Sequence, residues 1–178
     1  MPTTREVLET TIALEKESMA LYARFAQIFS SDPILHEFWF SMARDEARHV
    51  GALYLVSTVL ELQDAIDKVS PITFDASSFQ LLRGSLERCR KQADSAFDIQ
   101  HALGVAVEVE ETELEDLVAD LLKGLQERDE YERCLRLLVH DLGELSYMIE
   151  QYCQDSALLQ RCDELVNHHA ETLRTTAR

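Results

Sequence analysis

The sequence predicts an all-α fold, a four-helix bundle with one long crossover connection and a further C-terminal helix. Three observations carry that expectation. Only 5 glycines and 3 prolines occur in 178 residues, too few to punctuate a chain of short strands. The polar stretches are rich in Glu, Leu and Ala, which favour helix. Apolar residues recur at alternating steps of three and four over long runs, the period of a helix rather than of a strand. The length suits one domain with a sizeable core. Residues 1–178 read as a single unit, with no internal boundary and no low-complexity segment.

A helix pair at 4–66 comes first. Its first member is expected from about Thr4 to Ser30, where "SSDP" (30–33) breaks it. Asp32 can cap the next helix, and Pro33 can take the first helical position, where its missing N–H costs nothing. The second member runs from about Pro33 to Ile66. The crossover, 67–92, opens with "KVSPITFDASS" (68–78), the clearest loop, and continues in a short helix from about Ser77 to Lys91. A second pair occupies 93–153. It consists of a helix from about Ala93 to Leu125, a turn at "GLQERDE" (124–130), and a helix from about Asp129 to Cys153. "SALLQRCDELVNHHAETLR" (156–174) predicts the C-terminal helix.

With 33 acidic and 17 basic residues the formal charge is −16. Such a surface repels nucleic acid and anionic membranes, so neither is expected as a partner. Acidity alone marks no more than a solvated helical surface. "MPTTREVLET" contains no basic, apolar leader, and the longest uncharged run, Val50 to Leu60, is too short to span a membrane. Cys89, Cys134, Cys153 and Cys162 form no CxxC pair. They read as free thiols, mostly packing residues, in a reducing cytoplasm. A rubredoxin-type iron centre or a zinc ribbon is therefore not available.

The core-facing seam of each long helix can be traced residue by residue. The first gives Leu8, Ile12, Glu15, Met19, Tyr22, Ala26 and Phe29. The second gives Leu35, Trp39, Met42, Glu46, His49, Leu53, Val56 and Leu60. The third gives Leu103, Val107, Glu110, Leu114, Leu117 and Leu121. Each series is interrupted only by carboxylates or histidine, so Glu15, Glu46, His49 and Glu110 are expected to point inward. Glu17, Glu108, Glu111 and Glu113 fall off the seams and read as solvent-facing.

A single seam Glu commonly snorkels outward or pairs with a buried Arg, and a single seam His is commonly a satisfied core residue. Four such residues on three seams, with no Lys or Arg among them, call for another explanation. Burying one uncompensated carboxylate costs several kcal/mol, about 2–7 even for a neutral polar group, and it would rather protonate. A divalent cation removes the penalty and takes O and N ligands together. The i, i+3 spacing of Glu46 and His49 lets one helix supply both. Tyr22, one heptad past Glu15, reads either as core packing or as a hydrogen-bonding neighbour of such a site.

"LEKESMALY" (14–22) and "MARDEARHVGAL" (42–53) resemble the first two helices of the rubrerythrin-like branch of the ferritin-like di-iron carboxylate superfamily. The resemblance spans roughly 5 to 153 and is more specific in the first half. It implies a ferritin-like bundle with a non-haem iron site. That site would hold two ions by the family pattern, with manganese or zinc as alternatives. It would react with peroxide or oxygen, or oxidise Fe(II).

An internal repeat accompanies it. A shift of 95 residues places Glu15 on Glu110, Glu46 on Asp141 and His49 on Glu144. The second pair would then offer Asp-x-x-Glu where the family has Glu-x-x-His, one methylene shorter and all-oxygen. A shift of 96 instead pairs Glu46 with Leu142 and His49 with Leu145, and leaves the fourth helix, with its own apolar seam (Leu135, Leu138, Leu142, Leu145, Ile149, Tyr152), without ligands. Both registers are open at this level. His36 and His101 are expected off the seams, His140 exposed, and His168 and His169 solvated.

The candidate metal ligands are thus Glu15, Glu46, His49, Glu110, Asp141 and Glu144. The resemblance implies a rubrerythrin-like peroxidase or ferroxidase, with an external electron donor if a peroxidase, because the chain lacks a four-cysteine iron centre. A mononuclear metal-binding or sensing module, and a helical interaction protein with a degenerate site, are the alternatives. A homodimer is suggested by analogy with related bundles. No phosphate loop or dinucleotide fingerprint appears, and nothing suggests nucleophilic hydrolysis.

Overall fold

The computed structural model describes residues 2–70, 76–93, 98–112, 114–124 and 128–176. Among them are seven helices: α1 (Thr4–Ile28), α2 (Pro33–Leu62), α3 (Ala76–Ala93), α4 (Ile99–Glu110), α5 (Leu114–Gly124), α6 (Arg128–Tyr152) and α7 (Ser156–Thr176). No strand occurs among the described residues; Thr3 and Val69 form one isolated antiparallel bridge.

The helix starts are chemically marked. Thr3 and Glu6 form a capping box that satisfies orphan N–H groups at the head of α1. Asp32 accepts from the N–H groups of Ile34 and Leu35, with Pro33 as the first residue of α2. Asp98 caps α4 through the N–H of His101. α1 and α2 pack as a hairpin, α6 packs on α2, α4 and α5, α3 bridges α1 and α4, and α7 lies on α6 and α4.

The expected third helix, 93–125, is two helices. α4 ends at Glu110, and Glu111 and Thr112 turn before α5 begins at Leu114. The seam nevertheless runs through in phase: Leu103, Val107, Glu110, Leu114, Leu117 and Leu121 are all buried. The break is confined to the outer side, where Glu111 is exposed and pairs with Arg161 of α7. α2 ends four residues before Ile66, at Leu62, and residues 63–68 return to the head of α1, where Arg5 bonds Asp67 and Glu61. Residues 71–75 of the expected loop, 125–127 of the expected turn, and Glu113 lie outside the described residues.

The core is in two parts. One gathers Tyr22, Phe25, Trp39, Leu103, Leu145 and Ile149 with residues of α3 and α7. The other gathers Val7, Leu8, Leu53, Val56, Leu117, Leu122 and Leu135. Along α1 the changeover falls between Ile12 and Leu14, along α2 between Ala43 and Leu53, and along α6 between Leu135 and Leu145. Asp45, Glu46, His49 and Asp141 lie at this boundary, with Glu15 and Glu110 just on the side of the first cluster.

One histidine departs from expectation. His169 is buried, because α7 turns the Leu158–Cys162–His169 side toward α6 and α4. His36 is half-buried: its Nδ1 is 2.9 Å from the Ala26 carbonyl oxygen and its ring stacks on Phe40. His101 and His168 are exposed.

Candidate metal centre

α1 projects Glu15, Ser18 and Tyr22 on one face by steps of three and four, and all three are fully buried. α2 contributes Asp45, Glu46 and His49, α4 contributes Glu110 at its last residue, and α6 contributes Asp141; each is at most 7% exposed. Four helices thus deliver polar groups to one level of the bundle.

His49 Nδ1 lies 3.4 Å from Glu15 Oε2 and 3.3 Å from Glu46 Oε2. Potential ligand atoms of Glu15, Glu46 and His49 all fall within 4.8 Å of one another, the one such trio among the described residues. Glu46 Oε2 is buried without a hydrogen bond. Beside the trio is a cavity of about 10 Å³ lined by Met42, Asp45, Glu46, His49, Glu110, Leu138 and Asp141, room for about one water-sized occupant. On the far side Tyr22 Oη donates to Glu110 Oε1 at 2.6 Å, and the Tyr22 ring stacks on Trp39 with centroids 6.1 Å apart.

Burial raises the Glu46 carboxyl to about 8, reinforced by the Glu15 carboxylate and opposed by His49. Burial likewise raises Glu110 to about 8, with Glu46 adding to it and the Tyr22 hydrogen bond opposing it. Asp141 is raised by burial and held back by His140. Such clustered acids are costly to ionise together. A cation among them reverses the balance, and the donor set of carboxylate oxygens and one imidazole suits a first-row divalent metal. The residues present therefore fit an iron-type ion.

The structure brings Glu15, Glu46, His49, Glu110 and Asp141 together and leaves Glu144 out. Glu144 is 47% exposed, with His140 Nε2 3.8 Å from its carboxylate. The reason is angular. At about 100° per residue, Asp141 lies roughly 80° from the centre of the α6 apolar face and Glu144 roughly 140°, on the solvent side. Asp141 thus stands where the 95-residue shift puts it, while Leu142 and Leu145 are buried as well. The Asp-x-x-Glu pair is half realised. His140 is 63% exposed but not isolated, since its Nδ1 is 3.2 Å from Asp141 Oδ1.

Two buried polar residues near the site had escaped sequence reasoning. Asp45 is off the α2 seam, yet it lines the cavity and pairs with the half-exposed Arg48. Ser18 falls one helical turn past Glu15; its hydroxyl is buried without a hydrogen-bond partner. The i, i+3 step from Glu15 was the available signal for Ser18.

The family model described as rubrerythrin matches residues 6–137, which is 132 of the 178 residues. The chain belongs to the rubrerythrin family. Rubrerythrin domains are ferritin-like helical bundles that typically bind iron, and the Glu15–Glu46–His49 trio, Tyr22 and Glu110 all lie inside the matched span. The match ends in α6 before Asp141. No curated protein and no solved structure matches the chain. No helix among the described residues is long and apolar enough to cross a membrane, and no disulfide joins Cys89, Cys134, Cys153 and Cys162. Burial pushes the Cys89 thiol to about 11 and the Cys162 thiol to about 12, so neither is a reactive thiolate at neutral pH.

Proposed function

We propose that this rubrerythrin-family chain holds non-haem iron at Glu15, Glu46, His49, Glu110 and Asp141. Two ions bind when it is fully loaded, and the site reduces peroxide or oxygen, or oxidises Fe(II). The observation that carries the reading is the buried trio of Glu15, Glu46 and His49, with ligand atoms within 4.8 Å of one another.

The chemistry iron supplies when bound is electron transfer to or from an O–O substrate. The chain's own groups do the rest. The carboxylates offset the metal's charge. Tyr22 fixes Glu110 in orientation and is placed to hold a proton at its Oη. The apolar residues on either side exclude bulk water. Reduction of hydrogen peroxide to two waters consumes two electrons and two protons. The four thiols are dispersed over α3, α6, the α6–α7 link and α7, so a separate reductant supplies the electrons. Four cysteines with no disulfide among them suit a reducing cytoplasm.

A second reading is favoured by the asymmetry of the site. One trio is tight, and α6 supplies Asp141 but no histidine, so a mononuclear metal-binding or sensing module is the rival. Elemental analysis after anaerobic Fe(II) loading separates the two. About two irons per wild-type chain, largely lost in Glu46→Ala/His49→Ala, and peroxide consumption with added reductant, support the di-iron enzyme. About one iron without turnover supports the module. No bound metal in the wild type overturns both.

A further inference from the structure

We propose that a divalent cation reaches the cavity from the α2–α6 side, held first by His140 and Glu144 on the surface and handed inward to Asp141. This rests on reading the cavity as a metal centre, and it gives that centre an uptake route.

Four observations converge on that side. The cavity is walled by α2 and α6, with Glu110 of α4 behind; no residue of α1 lines it. Behind it Glu15, Ser18, Tyr22 and Trp39 are fully buried and give no passage. Asp141 is the least buried of the polar lining residues, at 7%, and its Oδ1 is 3.2 Å from Nδ1 of the exposed His140. His140 Nε2 is in turn 3.8 Å from the half-exposed Glu144. A series of donor groups therefore runs from solvent to the cavity: Glu144, His140, Asp141, then Glu46, whose Oε2 is buried without a hydrogen bond.

The opposite lip differs in charge. Asp45 is paired there with Arg48, whereas on the α6 side two carboxylates, Asp141 and Glu144, share the single His140. A cation must shed its water shell in steps, and each step needs a replacement donor. An imidazole and a carboxylate at i, i+4 offer two on one exposed helical turn, near enough to Asp141 for exchange. As a surface ion pair alone, His140–Glu144 would add little to stability and leave uptake untouched.

The test is the rate of Co(II) uptake by the full chain, followed by visible absorption after rapid mixing, together with cobalt per chain at equilibrium. His140→Ala/Glu144→Ala is expected to slow uptake by roughly tenfold or more, the scale of lost electrostatic steering, at unchanged final stoichiometry and spectrum. Glu144→Lys is expected to slow it further. Arg48→Ala, on the other lip, is expected to be no slower than wild type. Circular dichroism checks that each variant is folded. Wild-type uptake with unaltered rates in the His140 and Glu144 variants removes the route and leaves the metal centre standing. A fall in equilibrium stoichiometry without a change in initial rate makes the pair ligands rather than a surface station, and equally overturns the proposal. No cobalt uptake by the wild type removes the metal centre and the route together.

Discussion

Glu46 is held at the boundary of the two core clusters with its carboxyl raised to about 8 by burial and by Glu15. Its ordinary value is 4.5, so the native state binds the proton more tightly than the unfolded chain does. The resulting stability is fully present below 4.5 and is lost as pH rises through about 8. Glu110 acts in the same sense over the same window. The metal-free protein is therefore expected to melt at progressively lower temperature between about pH 5 and pH 8. Glu46→Gln, which cannot ionise, should weaken that dependence and leave the part due to Glu110. Melting curves in chelator check both, and a constant or rising melting temperature over the window would refute the account. Glu15, Glu46, His49 and Glu110 were legible in the sequence because each interrupts an apolar series of fixed period. Asp45 was not, because it stands about 100° round the helix from Glu46; its burial depends on how closely α6 crosses α2, which no local pattern encodes.

Helix ends contribute on a different scale. Asp32 satisfies two N–H groups at the head of α2, and Asp32→Ala should cost about 1 kcal/mol, read as a shift in the denaturation midpoint. Arg161→Ala removes the pair between α7 and the α4–α5 junction. That pair is largely exposed, 44% on one side and 34% on the other, so about 0–1 kcal/mol is expected, shrinking as salt is added. A loss comparable to a core truncation at Arg161 would mean that α7 is held by that contact rather than by Leu158 and Cys162. The junction itself was hidden because the buried seam passes through it in phase, Glu110 to Leu114 being an ordinary step of four.

For the whole molecule, the metal reading has a thermodynamic signature. An ion that binds only the native state at 100 times its Kd adds about 2.7 kcal/mol. For a chain of this size that is roughly 5–10 °C in melting temperature. Fe(II) under anaerobic conditions, or Co(II), should raise the melting temperature by that order, and chelation should reverse it. An unmoved transition would leave the bundle with a degenerate site. The bundle and its crossover were legible because composition, period and caps agreed with one another. The asymmetry of the centre was legible only in part: the angle from the apolar face of α6 sets Glu144 outside, but Asp141 stands at the edge of that face, and the packing of α6 against α2 brings it inside.

The boundary between the two core clusters has a consequence for motion. Each cluster is a self-contained apolar unit drawn from several helices, and between them stands a layer of acids whose mutual repulsion grows as they ionise. With no cation present, fluctuations that part the bundle should start at this level rather than at the helix ends. Backbone amides near residues 46–49 and 107–110 would then exchange with solvent sooner than those around Trp39 or Leu53. A bound cation would act as a rivet through the waist, making two loosely joined halves open and close as one.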